Sequence, residues 1–257
     1  MDSLTPENPP LALAPAERQP KIPGFLGTTL WGLLIFAALF VGQLAVIVWF
    51  LLRQGGPIDV KAAVQVASRG LTISLSVVMG LPAVLAALWL AIRTTRTPFA
   101  EYLGLRRTSW KHLVVGIAGL VVLVLGWDLM SRVTGREVQP GFMTDVLKSA
   151  EMDGVLWLLI VAICVAAPIS EELFARGFLY RGWSASFLGP YGAIFLSSLA
   201  WTTLHLQYDW YFFGEVFCIG LWLGYLRYRS HSTWLTIVVH GINNLGALLQ
   251  SLWLAHS

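Results

Sequence analysis

Long runs of apolar residues, separated by short polar segments, recur along the whole chain. Seven such runs lie near residues 25–52, 71–92, 112–131, 154–170, 186–204, 211–226 and 233–254. Most of them approach the roughly 20 residues that a helix needs to cross the hydrocarbon core of a membrane. Backbone groups in lipid must form their hydrogen bonds within the segment, so these runs predict helices and not strands. The pattern therefore predicts an all-α fold, a polytopic transmembrane helix bundle of about seven spans.

The composition agrees with a membrane protein. Hydrophobic residues make up 56% of the 257 residues and charged residues only 12%, whereas an average soluble domain carries roughly 25% charged residues. The formal net charge of +3 is spread over the loops, without the basic stripe that is typical of nucleic-acid-binding proteins. We therefore expect the lipid bilayer as a partner, and no nucleic acid.

Three regions follow from this pattern. Residues 1–23 contain six prolines and several charges, and they predict a disordered N-terminal tail. Residues 24–150 are expected to form an N-terminal transmembrane region, and residues 151–257 a C-terminal core domain. Lysines and arginines are most frequent in the loop at residues 93–111, which puts this loop and the N-terminus in the cytoplasm by the positive-inside rule. The Ala/Pro-rich tail and the high tryptophan content favour a protein of the bacterial inner membrane.

The first polar motif is a pair of adjacent glutamates followed by an arginine. Glu172 and Arg176 are four residues apart, so on a helix they share a face and can form an ion pair. Glu171 is rotated by about 100° from Glu172 and cannot point the same way. One glutamate is therefore expected to be structural, while the other is free to face another group. An interfacial salt bridge at the exit from the fourth run would explain this motif if it stood alone.

Two histidine motifs follow in later runs. His205 lies four residues after Trp201, and Asn244 lies four residues after His240, so each pair shares one helical face. A single histidine in an apolar run is commonly a packing residue with one hydrogen bond. A histidine and an asparagine deep in one span need polar partners, and the glutamates and the other histidine are available. The motifs together predict an active site among the C-terminal spans.

The position of His205 sets a geometric condition on this site. A straight fifth span would separate His205 from Glu171 by roughly 20 Å or more. The two residues can meet only if this span is short, steeply tilted or begun deep in the membrane. The dipeptide Gly189-Pro190 is consistent with an interrupted start.

The polar residues form three motifs in a fixed order: Glu171-Glu172-x-x-x-Arg176, Trp201-x-x-x-His205 and His240-x-x-x-Asn244. In this order and with apolar flanks, they resemble the CAAX protease and bacteriocin-processing family (CPBP, or Abi), which includes the type II CAAX prenyl endopeptidases. The resemblance covers about residues 155–250, and "YLGLRR" before the third run is similar to the family's N-terminal half. Trp201 stands where phenylalanine is commoner. The resemblance implies an intramembrane endopeptidase that hydrolyses a peptide bond in a peptide or protein substrate, which can be membrane-anchored.

The resemblance also implies roles for individual residues. Glu171 would be the general base and, with His205, would hold and deprotonate the attacking water. His240 and Asn244 would donate hydrogen bonds to the developing oxyanion. These four residues are the expected catalytic residues.

Supporting groups and a metal alternative follow from the same resemblance. Glu172 and Arg176 are expected to act as a structural pair behind the catalytic residues. The family is often labelled metalloprotease, and two histidines with a glutamate can bind zinc; the ligands would then be Glu171, His205 and His240. The chain lacks the H-E-x-x-H helix of common zinc proteases, so we favour a site without a metal or another cofactor.

Two other functions stay open at this point. A catalytically silent membrane scaffold, or an immunity-type binding protein, would keep a binding role without cleavage. A transporter would use the glutamates and histidines to bind a cation or to relay protons. Many transporters carry inverted repeats, and the two halves of this chain show none. The intact set of motifs favours the protease.

Overall fold

The computed structural model describes residues 22–54, 59–138 and 141–256. Within these ranges the regular elements are all helices, which confirms the all-α class. They are α1 (Phe25–Gln54), α2 (Val60–Ala67), α3 (Gly70–Arg93), α4 (Phe99–Tyr102), α5 (Trp110–Val133), α6 (Gly141–Met152), α7 (Leu156–Ser184), α8 (Gly189–Thr202), α9 (Trp210–Ser230) and α10 (Thr233–His256). The predicted disordered tail lies outside the described residues, apart from residues 22 and 23.

Five of the described helices are long and apolar enough to cross a membrane: Phe25–Arg53, Gly70–Arg93, Trp110–Val133, Leu156–Ser184 and Thr233–Trp253. Helix α8 has only 14 residues, and α9, with 21 residues, is not among the five. The protein is an integral membrane helix bundle with two fewer candidate spans in its described part than the apolar runs predicted. An apolar run alone does not distinguish a spanning helix from a helix that is buried against other helices.

Helix α7 continues far beyond the end that its apolar run predicted. The run ends near residue 170, but the helix extends to Ser184 and has 29 residues. It contains two π-helical segments, Ala162–Ala166 and Leu173–Leu179, a feature that is frequent at functional sites. The two glutamates therefore lie in the middle of a helix and not at its exit from the membrane. The helix can continue through these charged residues because Glu172 and Arg176 form an ion pair inside the protein.

Helices α8 and α9 have boundaries that local sequence explains. Gly189 has a φ of 61°, and Pro190 occupies the first turn of α8, where a missing N–H costs little. Asp209 caps α9, since its carboxylate accepts hydrogen bonds from the backbone N–H groups of Tyr211 and Phe212. A short 3₁₀ turn, Thr203–His205, follows α8 directly. The fifth apolar run therefore forms a short helix, α8. A short fifth helix is one of the arrangements that allow His205 to lie near Glu171.

Close packing of α9 against α8 brings the site together. A Cβ added at Gly220 would lie 3.1 Å from Ser198 and from the Trp201 ring, and one at Gly224 would lie 2.8 Å from Ile194. Side chains at these two glycines would therefore push the helices apart. The small residues, four apart on one face, allow this contact.

Candidate active site

A buried ion-pair network joins α7 to α9 and α10. Arg176 Nη1 donates to Glu172 Oε1 at 2.7 Å, and both side chains are fully buried. Arg176 Nη2 donates to the carbonyl oxygen of Gly220 at 2.9 Å. His240 Nδ1 lies 3.0 Å from the same oxygen of Glu172. The ion pair that the four-residue spacing predicted is present, and Glu172 also orients His240.

Glu171 lies on a different face of α7 and contacts Trp201 of α8. The indole Nε1 of Trp201 donates to Glu171 Oε2 at 2.6 Å. The Trp201 ring lies beneath the Arg176 guanidinium, with 4.6 Å between Cζ and the ring centroid. The Glu171 side chain is 17% exposed, and no group of the described residues donates a hydrogen bond to its second oxygen, Oε1. Trp201 therefore links Glu171 to the buried ion pair.

Both candidate histidines lie beside Glu171 and Trp201. Their ring centroids are 5.1 Å (His205) and 5.2 Å (His240) from that of Trp201, and His240 Nε2 is 4.0 Å from Glu171 Oε2. His205 ends the 3₁₀ turn, outside the spanning helices. Burial lowers the pKa of His205, against the opposing effect of the Glu171 carboxylate. Its imidazole is therefore neutral at neutral pH and can accept a hydrogen bond or a proton.

Asn244 lies near the site, but its amide is bound to the backbone of α7. Asn244 Nδ2 donates to the carbonyl oxygen of Ile163 at 2.9 Å, within the first π-helical segment. One of its two amide hydrogens is thus used to tie α10 to α7. The neighbouring Asn243 donates to Asn244 Oδ1 at 3.4 Å. Asn243 also lines the cavity of the site, although it lies outside the His240-x-x-x-Asn244 pattern and is therefore not predicted by it.

A cavity of about 820 Å³ lies among the helices. It is lined by all four candidate catalytic residues: Glu171, His205, His240 and Asn244. Its walls are mainly apolar side chains of α3, α5, α6, α9 and α10. Ligand sites are typically concave and apolar with a few convergent polar groups. This cavity has that character.

Two acidic residues also line this cavity. From the sequence, Asp128 and Glu215 are expected to be interfacial or capping groups, but both face the cavity. Gln250 Nε2 donates to Asp128 Oδ2 at 3.0 Å. The sequence does not predict that these three residues line one cavity, because Asp128 lies on α5, Glu215 on α9 and Gln250 on α10.

The comparison with protein families agrees with this geometry. Residues 153–246 match the family model described as Rce1-like, type II CAAX prenyl endopeptidase Rce1-like. The C-terminal region is thus similar in sequence to this family over these residues. All three motifs lie within the matched residues, so the resemblance that they indicated is confirmed for this segment.

One curated relative matches part of the chain. The UPF0177 protein YbdI of Lactococcus lactis subsp. lactis (strain IL1403) is 34% identical over 94 residues, which is 36% of this chain and 49% of the relative. The chain thus spans about half the length of the curated relative that it matches. No solved structure matches the chain.

The zinc alternative requires three ligating side chains that lie close together. Among the residues that the structure describes, no three His, Cys, Asp or Glu side chains gather into a group that could hold a metal ion. The expected ligands Glu171, His205 and His240 are thus not gathered as such a group in this arrangement. A site without a metal stays a prediction.

Proposed function

We propose that the protein is an intramembrane endopeptidase that hydrolyses a peptide bond with a water activated by Glu171 and His205. The observation that carries the proposal is the convergence of both residues and His240 on one apolar cavity. The Rce1-like match supplies the reaction class. A peptide or protein substrate, which can be membrane-anchored, would enter this cavity. The cytoplasmic N-terminus and the bacterial inner membrane remain part of the proposal.

In the proposed step, Glu171 removes a proton from a bound water, and the oxygen of that water attacks the scissile carbonyl carbon. Because the Trp201 indole binds Oε2, Oε1 is the oxygen that accepts the proton. The tetrahedral intermediate then collapses, the C–N bond breaks, and the proton passes from Glu171 to the leaving amine. Water thus supplies the hydroxyl of the new carboxyl group and the hydrogen of the new amine.

The histidines and Asn244 would complete the site. His205 is neutral, so it can accept a hydrogen bond from the water and orient it toward the carbonyl. His240 is oriented by donating its Nδ1 hydrogen to Glu172, and its Nε2 is on the Glu171 side. With a proton on both ring nitrogens, His240 would donate from Nε2 to the oxyanion. Asn244 keeps one amide hydrogen beyond its bond to Ile163 and could donate it to the oxyanion.

The proposal is tested by comparing membrane-derived peptides from two sets of cells. One set expresses the wild-type chain, and the other expresses His205→Ala at the same level. We expect new peptide termini from membrane proteins in the wild-type cells alone. Identical peptide inventories, at equal amounts of folded protein, would contradict the proposal and favour a scaffold or a transporter.

We expect cleavage to be independent of added or bound metal. No three His, Cys, Asp or Glu side chains of the described residues form a group that could hold a metal ion, so we expect no bound metal for a chelator to remove. Prolonged incubation with a chelator should leave the cleavage rate of purified protein unchanged, while a known zinc protease in the same buffer loses its activity. Loss of cleavage that returns on adding zinc would contradict this expectation.

Trp201→Phe is expected to lower kcat by about tenfold, because it removes the hydrogen bond from the indole to Glu171. A hydrogen bond to a charged group contributes about 1.5–3 kcal/mol, and about 1.4 kcal/mol in the activation free energy changes the rate tenfold. Phenylalanine keeps an aromatic ring near Arg176 but has no N–H for Glu171. KM and the melting temperature should change little. Trp201→Ala removes both contacts and should also lower the melting temperature. An unchanged kcat in Trp201→Phe would show that the indole N–H does not orient Glu171.

A further inference from the structure

His205 lies at the start of an exposed stretch of the chain. It ends the short 3₁₀ turn that follows α8, and the next two residues, Leu206 and Gln207, are exposed. The Nδ1 atom of His205 is buried and has no hydrogen-bond partner among the described residues. His240 differs, because its Nδ1 is bound to Glu172. A hydrogen bond therefore fixes the ring of His240, whereas the ring of His205 depends on the groups that pack against it.

Two aromatic rings pack against the His205 imidazole. The ring centroid of Trp201 lies 5.1 Å from that of His205, with 67° between the ring planes. The ring centroid of Tyr208 lies 5.8 Å from it, with 38° between the planes. Both distances are in the range of roughly 4.5–7 Å at which aromatic pairs interact favourably. The imidazole is therefore in contact with one ring that precedes it and one that follows it in the chain.

The backbone holds Tyr208 beside His205. Tyr208 N donates to the His205 carbonyl oxygen at 3.1 Å, which closes a tight turn between the two residues. Asp209 then caps the start of α9 through its carboxylate, so the end of the turn is anchored to that helix. Tyr208 also lines the cavity, together with Glu171 and His205. The tyrosine therefore lies in the wall of the candidate active site, at a position that the turn determines.

We propose that Tyr208 is a positioning residue of the active site, whose ring holds the His205 imidazole in place and shields it from water. This role rests on the proposed function, in which His205 orients the attacking water, but the packing of the two rings can be tested without cleavage. Burial, with the carboxylates of Glu171 and Glu215 nearby, raises the pKa of Tyr208 to about 12. The phenol is therefore uncharged near neutral pH and acts on His205 through its ring and not through a charge.

The reactivity of His205 toward diethyl pyrocarbonate tests this packing without a cleavage assay. The reagent acylates accessible, uncharged imidazoles, so the full chain is treated at mildly alkaline pH, and mass spectrometry of the peptide that contains His205 gives the rate. We expect Tyr208→Ala to raise this rate severalfold, because the substitution uncovers the imidazole. Tyr208→Phe keeps a ring at this position and should react at close to the wild-type rate. Equal rates in the wild type and in Tyr208→Ala would overturn the proposal, whether or not the protein cleaves peptides.

Tyr191→Ala is the matched control, and His240 is an internal one. Tyr191 is exposed on α8, its ring contacts Tyr228, and it is not among the residues that line the cavity. Its replacement should leave the modification rate of His205 unchanged. In Tyr208→Ala, His240 should also react at the wild-type rate, because its contacts do not involve Tyr208. An equal increase at both histidines would indicate a general loosening of the fold and would contradict the proposal.

Kinetic constants separate a positioning role from a merely structural one. Tyr208→Ala should lower kcat by about tenfold or more, because a small displacement of a catalytic group slows the reaction strongly. KM and the melting temperature should change little. Tyr208→Phe should keep kcat near the wild-type value, since the ring is retained. A loss of kcat in Tyr208→Ala that is accompanied by an equally marked loss of folded protein would count against positioning.

The pH dependence of kcat gives a readout that a structural role would not change. Burial lowers the pKa of His205, against the opposing effect of the Glu171 carboxylate. His240 and Arg176, which also face this imidazole, act in the same direction as burial. Water admitted in Tyr208→Ala should raise the pKa of His205, so that its imidazole becomes protonated at a higher pH. We therefore expect the acid limb of the profile to move to higher pH in Tyr208→Ala but not in Tyr208→Phe, and an unshifted limb in Tyr208→Ala would refute the shielding of His205.

Discussion

Glu171→Gln is expected to fold normally and to lose cleavage by about 100-fold or more. Glutamine keeps the size of the side chain, and its amide oxygen can still accept the hydrogen bond from the Trp201 indole. Glutamine cannot take a proton from water. The substitution therefore removes the general base without changing the fold of the site. The measurement is the cleavage rate of purified protein at equal amounts of folded chain, judged by the melting temperature.

A matched control and a double variant sharpen this test. Glu101→Gln makes the same chemical change at an exposed glutamate of α4 and should leave cleavage unchanged. His205→Ala should resemble Glu171→Gln, and the two changes combined should cost little more than either alone, because residues that act on one water are not additive. A scaffold would keep its cellular effect in Glu171→Gln, and a transporter would show altered ion coupling with no peptide cleaved. Full proteolysis by Glu171→Gln would rule out the proposed base.

Arg176→Ala is expected to destabilise the protein by about 3–5 kcal/mol, because it leaves a buried charge without its partner. Glu172 and Arg176 are both fully buried and 2.7 Å apart, and Arg176 also binds the Gly220 carbonyl oxygen. Removing the guanidinium leaves the buried Glu172 carboxylate with His240 as its remaining partner and removes the side-chain hydrogen bond to the Gly220 carbonyl oxygen. The melting temperature in detergent and the yield of folded protein should both fall, and cleavage should fall with them.

The pair between Arg69 and Asp153 provides the control for Arg176→Ala. Its atoms are 2.9 Å apart, but the Arg69 side chain is 47% exposed. An exposed pair contributes about 0–1 kcal/mol, so Arg69→Ala should hardly change the melting temperature. Combining Glu172→Gln with Arg176→Met removes both charges and should recover part of the stability that Arg176→Ala loses. A wild-type melting temperature for Arg176→Ala would contradict the structural role of this pair.

Contacts within one helix were predictable from residue spacing. The α-helical repeat turns the four-residue spacing of Glu172 and Arg176 into an ion pair, and this pair is present. The same repeat predicted that Glu171 points away from this pair, and Glu171 indeed contacts Trp201 on a different face of α7. Hydropathy predicted the helical class, because backbone in lipid has few other ways to satisfy its hydrogen bonds. It marked seven apolar runs, whereas five of the described helices are long and apolar enough to cross a membrane; α8, for example, has only 14 residues.

Contacts between helices could not be predicted in this way. The hydrogen bond from Trp201 to Glu171 joins residues that are 30 positions apart, and the cavity gathers Asp128 and Glu215 from two different helices. The order of the motifs indicated which residues belong to one site. It did not indicate that the Trp201 indole donates a hydrogen bond to Glu171.

The sequence by itself determined the helical class, the membrane setting and the motif residues, since each depends on local periodicity or on the cost of polar groups in lipid. The tertiary structure decided that α7 continues through Glu171 and Glu172 as one helix of 29 residues. Hydropathy treats each charge as if it faced lipid and therefore ended the run near residue 170. In the folded protein Arg176 and His240 bind Glu172, so the charge is satisfied internally and the helix continues.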